Sequence, residues 1–157
     1  MKLEVRIGGH PLHAILSDFP LVLLLAWVAL DGGALLVGSA WLWEVGHWAL
    51  VAGVIAAGLA AVAGLLDYLG LPESKPEAMP TATVHLLVMG TVILLAAVAL
   101  LFRAPRAPSG GAALAFHLGV LVLVATGLGV GGWFGGHLVF HHRVGVENRG
   151  AEVHHLK

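Results

Sequence analysis

The chain has 157 residues, of which 59% are hydrophobic and only 11% are charged. A soluble domain carries about 25% charged residues, so this composition excludes an ordinary water-soluble fold and predicts a lipid environment. The net charge is −1 and no basic tract is present, which argues against nucleic-acid binding. The absence of cysteine excludes disulfides, thiolate metal ligands and iron–sulfur ligation by this chain.

Four apolar stretches are long enough to span a membrane, which takes about 20 residues. Short breaks rich in proline, glycine, serine or charge separate them, and such short connections make sequential helices antiparallel neighbours. The sequence therefore predicts an all-α fold, an antiparallel four-helix transmembrane bundle in one domain over residues 1–150, with a polar tail over 151–157. The predicted spans are about 19–38, 45–69, 82–102 and 112–134.

Two helix-start signals precede the first span. Pro11 follows a polar residue and fits the first position of a helix, and Asp18 before Phe19-Pro20 fits a second N-cap. These signals predict a short interfacial N-terminal helix over residues 11–17 that leads into the first span. The alternative is one long helix that is kinked at Pro20.

Lysine and arginine divide unevenly between the two ends of the predicted bundle. The richer end holds Lys2, Arg6, Lys75, Arg143, Arg149 and Lys157, and the other end holds Arg103 and Arg106. Under the positive-inside rule, this division places both termini in the cytoplasm and the protein in the cytoplasmic membrane. The first apolar run is too long for the core of a signal peptide, which is about 7–15 residues, so cleavage is not expected.

Two carboxylates lie in or beside the spans. Asp31 is well inside the first span, where a charge costs about 2.5–3.5 kcal/mol on insertion scales. We therefore expect Asp31 to face the bundle interior and to have a polar partner. Asp67 closes the second span, where it is either an interfacial carboxylate or part of a site.

Ten histidines are the most distinctive feature of the chain, because imidazole binds haem iron, zinc and copper. The end predicted to be cytoplasmic carries His10, His13, His85, His137, His141 and His142, with His154 and His155 in the tail. The opposite end carries His47 and His117, which could pair with each other or with Asp31. His85 lies inside a span, where a polar side chain needs a polar or metal partner more than it does at a helix end. His137 and His141 lie one helical turn apart, which is a weak metal-binding pattern.

Small residues line one face of the second span and of the fourth. The faces comprise Gly53, Ala57, Ala60, Ala61 and Gly64, and Gly127, Gly131 and Gly135. Such faces favour close helix packing in lipid, including contacts between subunits of a homo- or hetero-oligomer. They would equally leave room for a flat macrocycle.

Two end motifs resemble those of a bacterial and archaeal family of small four-helix membrane proteins, catalogued as a domain of unknown function. The opening is His10-Pro-Leu-His13 followed by Asp18-Phe-Pro20, and the closing motif is Gly135-Gly-His-Leu-Val-Phe-His-His-Arg-Val-Gly-Val146. The resemblance covers residues 8–147. It implies membrane electron transfer, because this family is sometimes fused to, or encoded beside, Rieske-type iron–sulfur domains.

The resemblance also sorts the candidate residues. Those at positions that match its pattern are His10, His13, Asp31, Asp67, His85 and His142. His137, His141 and Arg143 depart from the closing motif, and His47 and His117 are not features of it.

Three functions fit these observations. The first is an electron-transfer protein that binds one or two b-type haems. One haem would be bound by His13 and His85, with His10 or His142 as substitutes, and the other by His47 and His117. Its redox partner would be a Rieske iron–sulfur protein or quinone. The second is a zinc or copper site on His10, His13, His85 and His142, with Asp67. The third is a structural subunit of a larger respiratory or photosynthetic complex. An enzyme is not expected, since no nucleophile–base constellation or phosphate loop is present.

Overall fold

The computed structural model describes residues 6–7 and 10–146, with side chains for residues 11–71 and 73–146. The predicted tail, His154 and His155 lie outside the described residues, and so does the side chain of His10. The elements are β1 (Arg6–Ile7), β2 (His10–Pro11), α1 (Leu12–Val37), α2 (Ala40–Ser74), a 3₁₀ turn (Pro76–Ala78), α3 (Met79–Leu101) and α4 (Gly111–Phe140). Apart from the antiparallel pair of two-residue strands, every described element is helical, as the all-α prediction required.

Each of the four α-helices is long and apolar enough to cross a membrane. Their outward faces carry large apolar side chains, which would be unfavourable in water. Examples are Phe19, Val22, Leu59, Val62, Leu94 and Val122. These helices confirm the prediction of four segments able to span a membrane, and their apolar outer faces suggest contact with lipid.

The first helix begins earlier than its predicted span and continues through Pro20. Residues 11–17 do not form a separate interfacial helix; Pro11 is the N-cap and the following residues are the first turns of α1. The alternative of one long helix is the one observed. Asp18 is an exposed residue inside the helix rather than a cap. Apolar residues mark where the hydrocarbon begins, but backbone hydrogen bonds continue a helix beyond it.

A two-residue connection joins α1 to α2. Gly38 takes the left-handed conformation with φ of 68°, and the Ser39 hydroxyl accepts a hydrogen bond from the Leu42 N–H at 3.3 Å. Glycine ends the first helix and serine caps the second, which fixes a tight antiparallel hairpin. The helices α3 and α4 are joined by the longer segment 102–110, and each helix packs chiefly on its partner within the hairpin.

The two hairpins bury equivalent positions. Three of the five buried residues of α1 correspond to buried residues of α3 when 72 is added to their numbers: Pro20, Leu24 and Trp27 match Val92, Ala96 and Ala99. The same shift relates the buried Asp31 to Arg103, whose side chain is 4% exposed. Five of the six buried residues of α4 correspond to α2 with a shift of 71: Gly46, Leu50, Gly53, Ala57 and Ala60 match His117, Leu121, Val124, Leu128 and Gly131. The bundle is therefore built from two hairpins with the same inward faces.

Candidate functional site

Polar side chains gather at both ends of the bundle. We call one the aspartate end, defined by Asp31, Arg103 and His117, and the other the histidine end, defined by His13 and His85. The aspartate end lies where α1 and α3 finish, and the histidine end lies where they begin. Each end therefore takes residues from both hairpins.

At the aspartate end, a fully buried carboxylate accepts four hydrogen bonds. Trp27 Nε1 donates to Asp31 Oδ2 at 2.7 Å, and His117 Nε2 lies 2.9 Å from the same oxygen. The Arg103 guanidinium donates to Oδ2 at 2.5 Å and to Oδ1 at 2.8 Å, which is the bidentate geometry that suits a carboxylate. Asp31 therefore has the polar partners that its depth required, and they come from α1, α4 and the segment after α3.

Arg103 is itself held in place by the second helix. Its Nη2 donates to the Trp43 carbonyl oxygen at 2.6 Å, and its guanidinium carbon lies 3.8 Å from the centre of the Trp43 ring. The Trp43 indole donates to the carbonyl of Ala104 at 3.1 Å. These contacts fix the beginning of the segment between α3 and α4 over the buried carboxylate, where a cation–π contact is strengthened by desolvation.

A glycine makes room for this cluster. A Cβ atom on Gly46 would collide with Oδ1 of Asp31. Gly46 and His117 are equivalent positions of the two hairpins, as are Asp31 and Arg103. At the aspartate end the equivalent residues of the two hairpins are therefore complementary. Asp31 of the first hairpin corresponds to the cation Arg103, and Gly46, which lacks a side chain, corresponds to His117.

At the histidine end, two imidazoles make the same hydrogen bond. His13 Nδ1 lies 2.9 Å from the Ala60 carbonyl oxygen, and His85 Nδ1 lies 2.9 Å from the Gly131 carbonyl oxygen. A carbonyl only accepts, so Nδ1 of each ring carries the proton. In the neutral ring, Nε2 then bears the lone pair that a metal would use. Within the described part of the chain, no hydrogen bond is seen at either Nε2.

Each of these imidazoles rests against a glycine. A Cβ atom on Gly64 would lie 2.7 Å from His13 Cε1, and one on Gly135 would lie 3.2 Å from His85 Cε1. Each glycine is four residues beyond the carbonyl that accepts the hydrogen bond, on the same face of its helix. The two hairpins thus repeat one arrangement, a histidine from the first helix seated in a glycine notch of the second.

The two rings face one another across the hairpins. Their centroids are 6.4 Å apart and their planes meet at 80°. Both residues are half-buried. The structure therefore brings together His13 and His85, the pair that the sequence placed on separate helices at this end.

The other candidate histidines lie elsewhere. His142 is within 3.2 Å of the Thr81 hydroxyl and contacts His137 and His141 rather than the facing pair. His47 is half-buried with its ring 5.2 Å from that of Trp48. Asp67 is half-buried in α2. The structure thus groups His142 with His137 and His141 and places His47 beside Trp48.

Some glycines serve packing instead of a site. A Cβ on Gly53 would lie 2.8 Å from the Leu24 side chain, and Cβ atoms on Gly127 and Gly131 would collide with Val92 and Met89. Close helix approach is the role of glycine at these positions, as is common in membrane bundles.

Sequence reasoning missed three members of the aspartate end. The sequence analysis used Arg103 only as a positive charge and predicted no function for Trp27 or Trp43. One signal was available for Arg103, since it follows His85 by the same 18 residues that separate Asp31 from His13. The two tryptophans are buried, and each donates a hydrogen bond through its indole.

The fold and these two ends define a four-helix membrane protein with a buried ion cluster at one end and facing histidines at the other. A family model described as a predicted membrane protein (DUF2231) matches residues 9–148. The chain belongs to this family. No curated protein and no solved structure matches it.

Proposed function

We propose that this protein is a membrane electron-transfer protein that binds one b-type haem between His13 and His85. The observation that carries this proposal is the pair of facing imidazoles, each with Nδ1 bonded to a carbonyl and Nε2 left with its lone pair. The rings come from equivalent positions of two hairpins, so they would approach one metal in the same way. This protein then resembles other carriers whose iron is held by two histidines.

The ring separation fits two ligands on one metal. Metal–imidazole bonds are about 2.0–2.1 Å long, so rings on opposite sides of one ion have centres about 6 Å apart. The centroids of His13 and His85 are 6.4 Å apart. The bond from Nδ1–H to a backbone carbonyl is also the usual support of a metal-binding histidine.

The chain's own residues would orient the ligands and control their surroundings. The carbonyls of Ala60 and Gly131 keep Nδ1 protonated and make Nε2 a better donor. The apolar helix faces around the half-buried rings limit water and so influence a reduction potential. A bound haem would supply one-electron transfer. We propose a quinone or a Rieske-type iron–sulfur protein as the redox partner, and the cytoplasmic membrane as the location.

A second haem at the aspartate end receives less support. The Nε2 of His117 is 2.9 Å from Asp31 Oδ2, so ligation through that nitrogen would remove a donor from a buried carboxylate. Removing one of the four hydrogen bonds to a buried carboxylate is costly. Ligation by His47 and His117 therefore stays a prediction that these contacts oppose.

A zinc or copper ion on the same pair is the second candidate. The imidazoles themselves occupy the space beside Gly64 and Gly135, so these glycines do not open a slot for a macrocycle. A small ion needs no such slot, and imidazole suits both metals. His142 would have to leave the Thr81 hydroxyl to complete its coordination; His10 and Asp67 are the other candidate ligands.

A visible spectrum of the detergent-purified protein tests the proposal. We expect a Soret band, sharp bands on reduction, and about one haem per chain by pyridine haemochrome, as for iron held by two histidines. His13→Gln and His85→Gln should each abolish the reduced spectrum, whereas His47→Gln should not. Absence of haem in the wild type overturns the proposal, and elemental analysis then decides for or against zinc or copper.

A further inference from the structure

Three histidines form a separate cluster where α4 ends. One ring nitrogen from each of His137, His141 and His142 lies within 4.8 Å of those of the other two. The rings of His137 and His141 are stacked, with centroids 4.5 Å apart and planes at 15°. His142 meets both edge-on, at 5.3 and 4.9 Å. These contacts place three potential metal ligands at one point on the bundle surface.

The backbone that carries this cluster is well anchored. The His141 and His142 N–H groups both donate to the His137 carbonyl, at 3.0 and 3.2 Å. Lys75, at the end of α2, donates from Nζ to the carbonyls of His142 and Arg143, each at 2.6 Å. Arg143 then turns the chain away with φ of 52°. The last turn of α4 is thus tied to another helix, so the spacing of the three imidazoles does not depend on the helix end alone.

Exposure gives the cluster both access and freedom to adjust. His137 and His141 are exposed, and His142 is half-buried with its ring held by the Thr81 hydroxyl at 3.2 Å. Ligands at about 2.0–2.1 Å in a tetrahedral site are about 3.4 Å apart, so closure requires shifts of about 1 Å. Exposed histidine side chains reach such shifts by rotation about their own bonds. The half-buried ring would serve as the fixed ligand.

We propose that His137, His141 and His142 form a surface site for a divalent transition-metal ion, with water in the fourth position. Three neutral imidazoles with an open position form a known zinc donor set. Among the described residues the cluster contains imidazoles and no carboxylate, so oxygen-preferring ions such as Mg²⁺ and Ca²⁺ are not expected to bind. This site is distinct from the facing pair of His13 and His85, and it does not depend on haem.

Zinc titration of protein purified without a histidine tag tests this site. The background is the His13→Gln/His85→Gln variant, so that the facing pair contributes nothing. We expect one Zn²⁺ per chain by calorimetry, with affinity at least about tenfold weaker in His141→Gln or His137→Gln, because even supporting residues of metal sites cost about 10–100-fold when lost. Substitution of His47, or of His154 and His155 together, should leave the affinity unchanged.

Electron paramagnetic resonance of the Cu²⁺-loaded protein gives a second readout. We expect splitting from three nitrogen ligands in the background variant and from fewer in its His141→Gln derivative. Zinc affinity that is equal with and without His141, or that falls equally in the His47 variant, overturns the proposal. Saturation that requires millimolar Zn²⁺ overturns it as well. Loss of haem binding alone bears only on the facing pair.

Discussion

Each end of the bundle brings together equivalent positions of the two hairpins, but the buried polar groups find their partners differently at the aspartate end and at the histidine end. At the aspartate end, equivalent residues have opposite charge, so Asp31 and Arg103 neutralise one another directly. At the histidine end, the equivalent residues are identical, and His13 and His85 each direct Nδ1–H to a carbonyl. Two like imidazoles cannot satisfy each other through lone pairs, whereas unlike charges can. We therefore interpret the closed cluster as structural and propose the symmetric pair of donors as the place for a ligand.

Removal of Arg103 should have the largest effect on stability. Arg103→Ala leaves the carboxylate of Asp31 buried without its two strongest donors, and breaking a buried pair costs about 3–5 kcal/mol. Thermal unfolding in detergent, followed by circular dichroism, measures the loss. Arg106→Ala is the matched control, since Arg106 is exposed in the same connecting segment. Equal destabilisation by both substitutions would show that the ion cluster does not hold this end.

Removal of both charges should cost less than removal of one. Asp31→Asn/Arg103→Gln leaves no unpaired charge in the interior, so it should be more stable than Arg103→Gln alone, with a coupling energy of about 0.5–3 kcal/mol between the two sites, as is usual for contacting residues. The double-mutant cycle in the same unfolding assay gives this coupling. Additive losses would contradict direct pairing.

A methyl group beside the carboxylate should have a smaller effect. Gly46→Ala places a Cβ against Asp31 Oδ1 and should destabilise the protein by about 1–3 kcal/mol through overpacking. Gly58→Ala is the control on the same helix, since its Cβ would meet no atom within 4 Å beyond the adjoining backbone of that helix. That substitution should be neutral or stabilising by up to about 1 kcal/mol, because alanine favours helix. A larger loss of stability in Gly58→Ala than in Gly46→Ala would refute the close contact between Gly46 and Asp31.

Substitutions at the histidine end should reduce haem binding more than they reduce the stability of the protein. Gly64→Ala would press on the His13 ring at 2.7 Å, whereas Gly135→Ala would meet His85 at 3.2 Å. We expect haem content to fall more in Gly64→Ala than in Gly135→Ala, with unfolding shifts smaller than that of Arg103→Ala. Pyridine haemochrome on equal amounts of folded protein compares them. Unchanged haem content in both variants would show that Gly64 and Gly135 are not needed to seat the two histidines for haem binding.

Hydropathy predicted the four helices and the interior position of Asp31, and depth together with the family resemblance predicted the pairing of His13 with His85. The partner of Asp31 was harder, because both His47 and His117 have suitable depth. The direction in which each histidine points from its helix distinguishes His47 from His117. Gly46 faces Asp31, so the next residue, His47, is rotated about 100° away from Asp31 around the same helix. His117 occupies the position equivalent to Gly46 and therefore points inward.

Arg103 was missed for a different reason. It follows the last apolar residue of the third span, where an arginine ordinarily extends to the aqueous interface. Its inward course depends on the Trp43 carbonyl and ring, which lie on another helix and are 60 residues away in the chain. The length of α1 was also uncertain, since a proline within the apolar run is compatible with both a break and a continuous helix.

The central claim is that His13 and His85 jointly hold one haem iron. The most direct measurement is the reduced-minus-oxidised absorption spectrum of the wild type beside His13→Gln, His85→Gln and His47→Gln. We expect sharp cytochrome b bands in the wild type and in His47→Gln, and their loss in each of the other two. A spectrum without haem in the wild type, or bands that survive both substitutions and disappear in His47→Gln, would contradict the account.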